Sequence, residues 1–150
     1  MGSKAPAVID AVRTLVEAAV DDTVVVIDGP ATVNTSKDVI WIGYDADPDG
    51  SGDAASSDQG WKGAASRARD ETVNVFGAVF VSFGSTGVKA ARDRAYVLLA
   101  LVEDTVHGLP DLGLNPPTSG GVSSHRLIYR QAESGIQACI LFTLTVQTRL

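Results

Sequence analysis

Residues 70–83 read DETVNVFGAVFVSF, and the two-residue period of this stretch decides the fold. Val73, Val75, Val79, Val81 and Phe83 fall on one side of an extended chain, with Asn74, Phe76, Phe80 and Ser82 on the other. A strand with one apolar and one mixed face needs a cover on the apolar side only. Gly77 interrupts the run and marks a bulge or bend within it. The cover follows directly in sequence. After the turn GSTG (84–87), Val88, Ala91, Ala95, Leu98, Leu99, Val102 and Val106 recur at helical spacing, and Gly108 ends the pattern.

Working outward from this pair, residues 5–20 place Val8, Ile9, Val12, Leu15, Val16 and Ala19 on one helical stripe. Pro6 stands in the first turn, where its missing N–H costs nothing. TVVVID (23–28), stopped by Gly29-Pro30, and DVIWIGY (38–44) read as two short strands. Past the second helix, GLPDLGLNPPTSGG (108–121) has the composition of a linker. A strand over 124–131, a turn at Glu133-Ser134-Gly135 and a strand over 136–148 then form a hairpin. In the last strand Ile136, Ala138, Ile140, Phe142, Leu144 and Val146 alternate with Gln137, Cys139, Thr143, Thr145 and Gln147. The order α-β-β-β-α-β-β predicts an α+β fold: one domain over 1–150, with a mainly antiparallel sheet, two main helices packed on one face and a C-terminal β-hairpin.

Size and composition are consistent with one core. A chain of 150 residues buries roughly 70% of the surface its unfolded form exposes. Cys139 is the only cysteine, which excludes a disulfide framework and a thiolate metal site and predicts a small buried side chain. No apolar run approaches the roughly 20 residues of a membrane span, and no leader precedes the first helix, so a soluble protein of a reducing cytoplasm is expected. Charge is uneven. Residues 1–75 hold 13 acids and 6 bases (net −7), whereas residues 76–150 hold 5 acids and 6 bases (net +1). An acidic face repels phosphate, which argues against direct DNA binding.

Between the second and third strand patterns lies DADPDGSGDAASSD (45–58), five aspartates with no base, the start of an extended acidic loop running to residue 69. Its opening D-x-D-x-D-G imitates a calcium loop, with Asp45, Asp47 and Asp49 at the first, third and fifth positions. The twelfth position is Ser56 where a bidentate Glu is required, and a strand rather than a helix precedes the loop. No metal and no cofactor are therefore expected. GSTGVK lacks the spacing of a phosphate loop, and Ser85 or Thr86 is expected to cap the following helix. His107 ends a helix. His125 follows Ser123 and Ser124 in a strand, where adjacent side chains point to opposite faces, so no catalytic dyad forms and no enzyme is expected.

The candidate site is therefore an interface: Asp45, Asp47, Asp49, Asp53 and Asp58 as its acidic part, with Trp61 as an interface anchor or a local packing group and Arg67 and Arg69 beside it. A stretch of 25 residues without strong periodicity is longer than a compact domain tolerates unless it is functional. Trp41, in its strand, is expected to pack. Arg67 and Arg69 face solvent or pair with Asp70 and Glu71 or with acids of another chain.

The N-terminal helix, DVIWIGYDADPDG, ARDETVNV, AARDRAYVLLALVEDTV and the closing CILFTLTVQTRL together resemble the tail terminators of long, non-contractile-tailed phages of actinobacteria, with the lambda-type terminator fold. The resemblance spans nearly the whole chain and rests on packing and loop patterns. It implies a homo-oligomeric ring, usually of six copies, at the tail–neck junction of the virion. Such a ring caps the tail tube, ends its growth and joins it to the head. Its partners would be other copies of itself, the major tail tube protein and head–tail connector proteins, with the genome passing through the lumen and no membrane involved. A head–tail connector or other neck protein is the alternative, and a calcium-binding module a more distant one.

Overall fold

The computed structural model describes residues 2–30, 38–46, 52–65, 67–82, 87–114, 118–132 and 135–150. Among these described residues two helices and six strands appear in the order α1 (Ala5–Ala19), β1 (Val24–Asp28), β2 (Asp38–Ile42), β3 (Ala55–Trp61), β4 (Arg69–Ser82), α2 (Val88–Gly108), β5 (Thr118–Ala132) and β6 (Gly135–Arg149). The fold is α+β with a mostly antiparallel sheet, ordered β1-β2-β4-β6-β5, with β3 also paired to β4.

β4 organises the sheet because its length gives it three partners. One edge pairs with β6 from Asp70↔Arg149 to Ser82↔Gln137. The other edge is shared: β2 takes residues 77–80 and β3 takes residues 69–75. At the handover, the Phe76 carbonyl accepts from Gly43 N (2.8 Å) and Tyr44 N (3.1 Å), and Phe76 N donates to Ala54 O (3.1 Å). No register shift occurs at Gly77, which pairs in line with Phe142. Glycine is required there for space rather than for a bulge. A Cβ at Gly77 would run into the Phe142 ring and lie 2.7 Å from the Trp41 carbonyl oxygen. The irregularity instead falls in β5, between Val122 and Ser124.

The expected alternation holds in β4 and β6, with Phe83 lying outside the described residues. Val73, Val75, Val79 and Val81 of β4 and Ala138, Ile140, Phe142, Leu144 and Val146 of β6 face the helices and are buried with the α2 stripe and with Val8, Val12 and Val16 of α1. The α2 stripe is Ala91, Ala95, Leu98, Leu99, Val102 and Val106, and Gly87 is its N-cap, without a side-chain cap. Ser85 and Thr86 lie outside the described residues. An ion pair between half-buried side chains, Arg94 Nε to Asp38 Oδ2 at 3.0 Å, ties α2 to the start of β2.

The opposite face divides into two regions. Near β2 it is aromatic: Trp41 meets Phe80 and Tyr44 edge-on, at centroid distances of 5.7 and 6.1 Å. Beneath them Ala78 and Cys139 are buried, as expected of the lone thiol. Towards the other end it is polar, with Thr145 Oγ1 donating to Asn74 Oδ1 at 2.9 Å.

Three expectations need correction. The segment 45–69 is not one loop, since Ala55–Trp61 forms β3. Its residues alternate too weakly in polarity to show a period, and only pairing with β4 makes it a strand. The linker ends early: β5 begins at Thr118, because the glycines of TSGG lie along β6 in register, Gly120 against Val146 and Gly121 against Thr145. β1 and β2 are parallel, joined by the nine residues 29–37, so the sheet is mixed at this margin.

Candidate functional site

The acidic segment leaves β2 at Gly43, which adopts φ 76°, and turns onto the face opposite the helices. Ala46, at φ 51°, is buried there against Ala78 and Cys139. Arg130, reaching across from β5, donates from Nη2 to the Ala46 carbonyl. Two reciprocal hydrogen bonds close the segment on itself: Asp45 N donates to the Asp53 backbone carbonyl at 3.0 Å, and Asp53 N donates to the Asp45 carboxylate Oδ2 at 3.3 Å. The root of the segment is thus pinned to the sheet. Beside it lies a cleft of about 280 Å³ bordered by Asp45, Phe76, His125, Arg126 and Thr143.

The expected site residues do not converge. Asp45 and Asp53 meet at the root, and Asp47 and Asp49 lie outside the described residues. Asp58 is exposed in the middle of β3, opposite Thr72. Trp61, Arg67 and Arg69 sit at the far end, about 20 Å from Ala55 at the ~3.3 Å rise of a strand. Trp61 is 67% exposed, which sets aside a packing role within the chain. The Arg69 guanidinium lies over its ring in a cation–π contact, with the guanidinium carbon 5.2 Å from the ring centroid, and Trp61 and Arg69 are directly paired across β3 and β4. Arg69 also donates from Nη1 to Gln59 Oε1 at 2.9 Å. Arg67 is exposed. Asp70 meets Lys62 (3.6 Å) and Arg149 (3.2 Å).

The calcium reading loses its closing ligand in space as well as in sequence. Ser56 lies in β3, paired with Asn74, rather than at the end of a cation loop. Among the described residues no group of three or more metal-ligating side chains forms, and no helix is long and apolar enough to cross a membrane.

Two groups escaped the sequence reading. Arg126 and Arg130 border the acidic root from β5. Their alternation in HRLIYR puts them on one face, but nothing in the chain says which loop crosses that face. Glu71 is the other. It is only 1% exposed, and its carboxylate accepts from Lys4 N at 2.9 Å and from the Ser3 hydroxyl. Burial pushes this carboxyl up, but hydrogen bonds from Ser3, Lys4 N–H, Ser57 and Gln59 more than reverse that, leaving it below the ordinary carboxylate range. Glu71 therefore caps α1 from a neighbouring strand. Lys4, the N-cap residue, offers no side-chain acceptor; its own N–H draws on Glu71, 67 positions away, while Ala5 N donates to the Ser3 hydroxyl oxygen (3.0 Å), which Glu71 in turn holds in place.

His107 is exposed in the last turn of α2, and His125 stands edge-on to Tyr96 at 5.6 Å.

A scan against protein-family models finds no match for this chain, and a sequence search of curated proteins finds none either.

Proposed function

We propose that the chain is a structural subunit of a phage virion, forming a homo-oligomeric ring that caps the tail tube, terminates its growth and joins it to the head. The sequence resemblance motivates this reading. The observation that carries it is the one-sided sheet: the helices pack on one face, and the acidic segment is rooted on the other through Ala46. In a ring with its helices outward, the lumen receives the face on which the acidic segment is rooted. Negative charge there repels DNA phosphate and lets the genome slide without adhering. Copies related head to tail close into a ring when their rotation permits, and no catalytic group is required. Trp61, exposed at the end of β3, suits an anchor against the tube or connector protein.

Light scattering and negative-stain imaging of the purified protein, with and without tail tubes, test the reading. Rings that seat on tube ends are expected, and a strict monomer at high concentration refutes the ring. Substituting Asp45, Asp47, Asp49 and Asp53 together by Asn is expected to alter assembly or tail length. Unchanged rings and fully infectious particles would remove the acidic segment from the mechanism.

A further inference from the structure

Among the described residues, both lateral edges of the sheet are open: β1 pairs only with β2, and β5 only with β6. Open edges present unpaired N–H and C=O groups to any neighbouring strand. These two edges are complementary. The β1 edge reads DDTVVVID (21–28), an apolar run with acids at both ends. The facing half of β5 reads HRLIYR (125–130), an apolar run with bases at both ends. Tyr129 is 46% exposed there, and Val25, Val26 and Ile27 are half-buried in β1, so neither run is enclosed within its own subunit.

Strand direction fits as well. β5 runs with β4, because each is antiparallel to β6, while β2 runs against β4 and β1 runs with β2. A second copy placed so that the sheet simply continues therefore brings its β1 antiparallel to β5. Faces match too. Val26 and Leu127 both pack on the helix-side core, and Ile128 packs on the opposite cluster. Setting Val26 against Leu127 puts Val25 against Ile128, Val24 against Tyr129 and Asp28 against His125.

We propose that a second copy of this chain docks head to tail by antiparallel pairing of its β1 edge with the β5 edge. Resting on the ring reading, this contact names the surface that would close the ring. Six copies, each with a sheet five strands wide, give a circumference of ~140 Å at about 4.8 Å per strand, leaving a lumen ~45 Å across between backbones.

A two-variant mixing experiment, read by sedimentation velocity, tests the contact. Val25→Lys places an ammonium between the positions of Arg126 and Arg130 and blocks the β1 edge. Tyr129→Glu places a carboxylate beside Asp22 and blocks the β5 edge. Each variant alone is expected to be monomeric at concentrations at least tenfold above those at which wild type assembles. Their equimolar mixture is expected to form a dimer and nothing larger, because each partner retains the edge that the other needs. Wild-type-sized oligomers from either variant, or a mixture that stays monomeric, overturn the contact while leaving a ring through another surface. A monomeric wild type overturns the ring reading itself.

Should a charge variant fail to fold, a cysteine pair decides. Val25→Cys with Ile128→Cys, in a Cys139→Ser background, cannot close within one subunit. Its edges lie four strand spacings apart, ~19 Å against the ~7 Å limit of a disulfide. Mild oxidation is expected to give a ladder of covalent multimers on a non-reducing gel. Monomer bands alone overturn the proposal.

Discussion

Removing the Glu71 carboxylate is expected to loosen α1 from the sheet, although Glu71 lies in neither α1 nor its flanking turn. Its two best-defined bonds, from Lys4 N at 2.9 Å and from the Ser3 hydroxyl, are made to an ionised acceptor. Such bonds contribute about 1.5–3 kcal/mol each, and their donors lie near enough to solvent for water to replace part of the loss. Glu71→Ala is therefore expected to cost about 2–4 kcal/mol, and Glu71→Gln, which keeps one acceptor oxygen but loses the charge, about 1–2 kcal/mol. In a 150-residue domain the Ala variant should melt roughly 5–12 °C lower. The effect has a pH signature. Since the folded-state pKa lies below the ordinary 4.5, the charge contributes its full stability above 4.5 and loses it as the pH falls through the lower folded value. Urea denaturation of wild type and Glu71→Gln from pH 7 to pH 3 should show a gap that closes on acidification, because a protonated Glu71 resembles glutamine. A gap that stays constant over that range, or an Ala variant within about 0.5 kcal/mol of wild type at pH 7, refutes the capping role.

Three further outcomes are expected. Gly77→Ala should destabilise by about 1–3 kcal/mol in thermal melts, and Phe142→Leu on top of it should restore part of the loss; a neutral Gly77→Ala would remove the close-approach account. Arg130→Met, which keeps the apolar stem but loses the bond to the Ala46 carbonyl, should expose the acidic root to cleavage by an Asp-specific protease while global stability falls by less than about 1.5 kcal/mol. Unchanged cleavage would mean that Ala46 burial alone holds the segment. Calcium titration should give no saturable heat at micromolar concentrations, since Ser56 is held in β3 opposite Asn74; a saturating exotherm would reopen the metal reading.

Elements with strong periods were legible in the sequence. α1, α2, β4 and β6 were recoverable because burial on one face imposes a period of 3.6 or 2 on a long enough run, and that burial is borne out at Val8, Leu98, Val79 and Ile140. β3 was not legible. ASSDQGW is exposed along most of its length, so no face selects its residues, and it is a strand because the lower half of the β4 edge would otherwise be unpaired. The early start of β5 was hidden for a related reason: its glycines carry no side chain to pattern, yet Gly120 lies so close to Val146 that a Cβ would approach its methyl carbon to 2.7 Å. The candidate site was legible as composition only. The aspartates declared an acidic segment, but not that Asp45 and Asp53 would close its root while Trp61 and Arg69 stood at the other end of a strand.

The sequence by itself determined the α+β class, the helix-covered face and the position of the acidic segment between two strands, because each is written in local order: periodicity, turn residues and charge count. Only the tertiary structure decided what depends on neighbours distant in the chain. Glu71 as a cap for α1, Arg130 as a clasp on Ala46 and Gly77 as the seat of the Phe142 ring are all of that kind. Each is a contact between residues tens of positions apart, and no local signal encodes which distant partner will arrive.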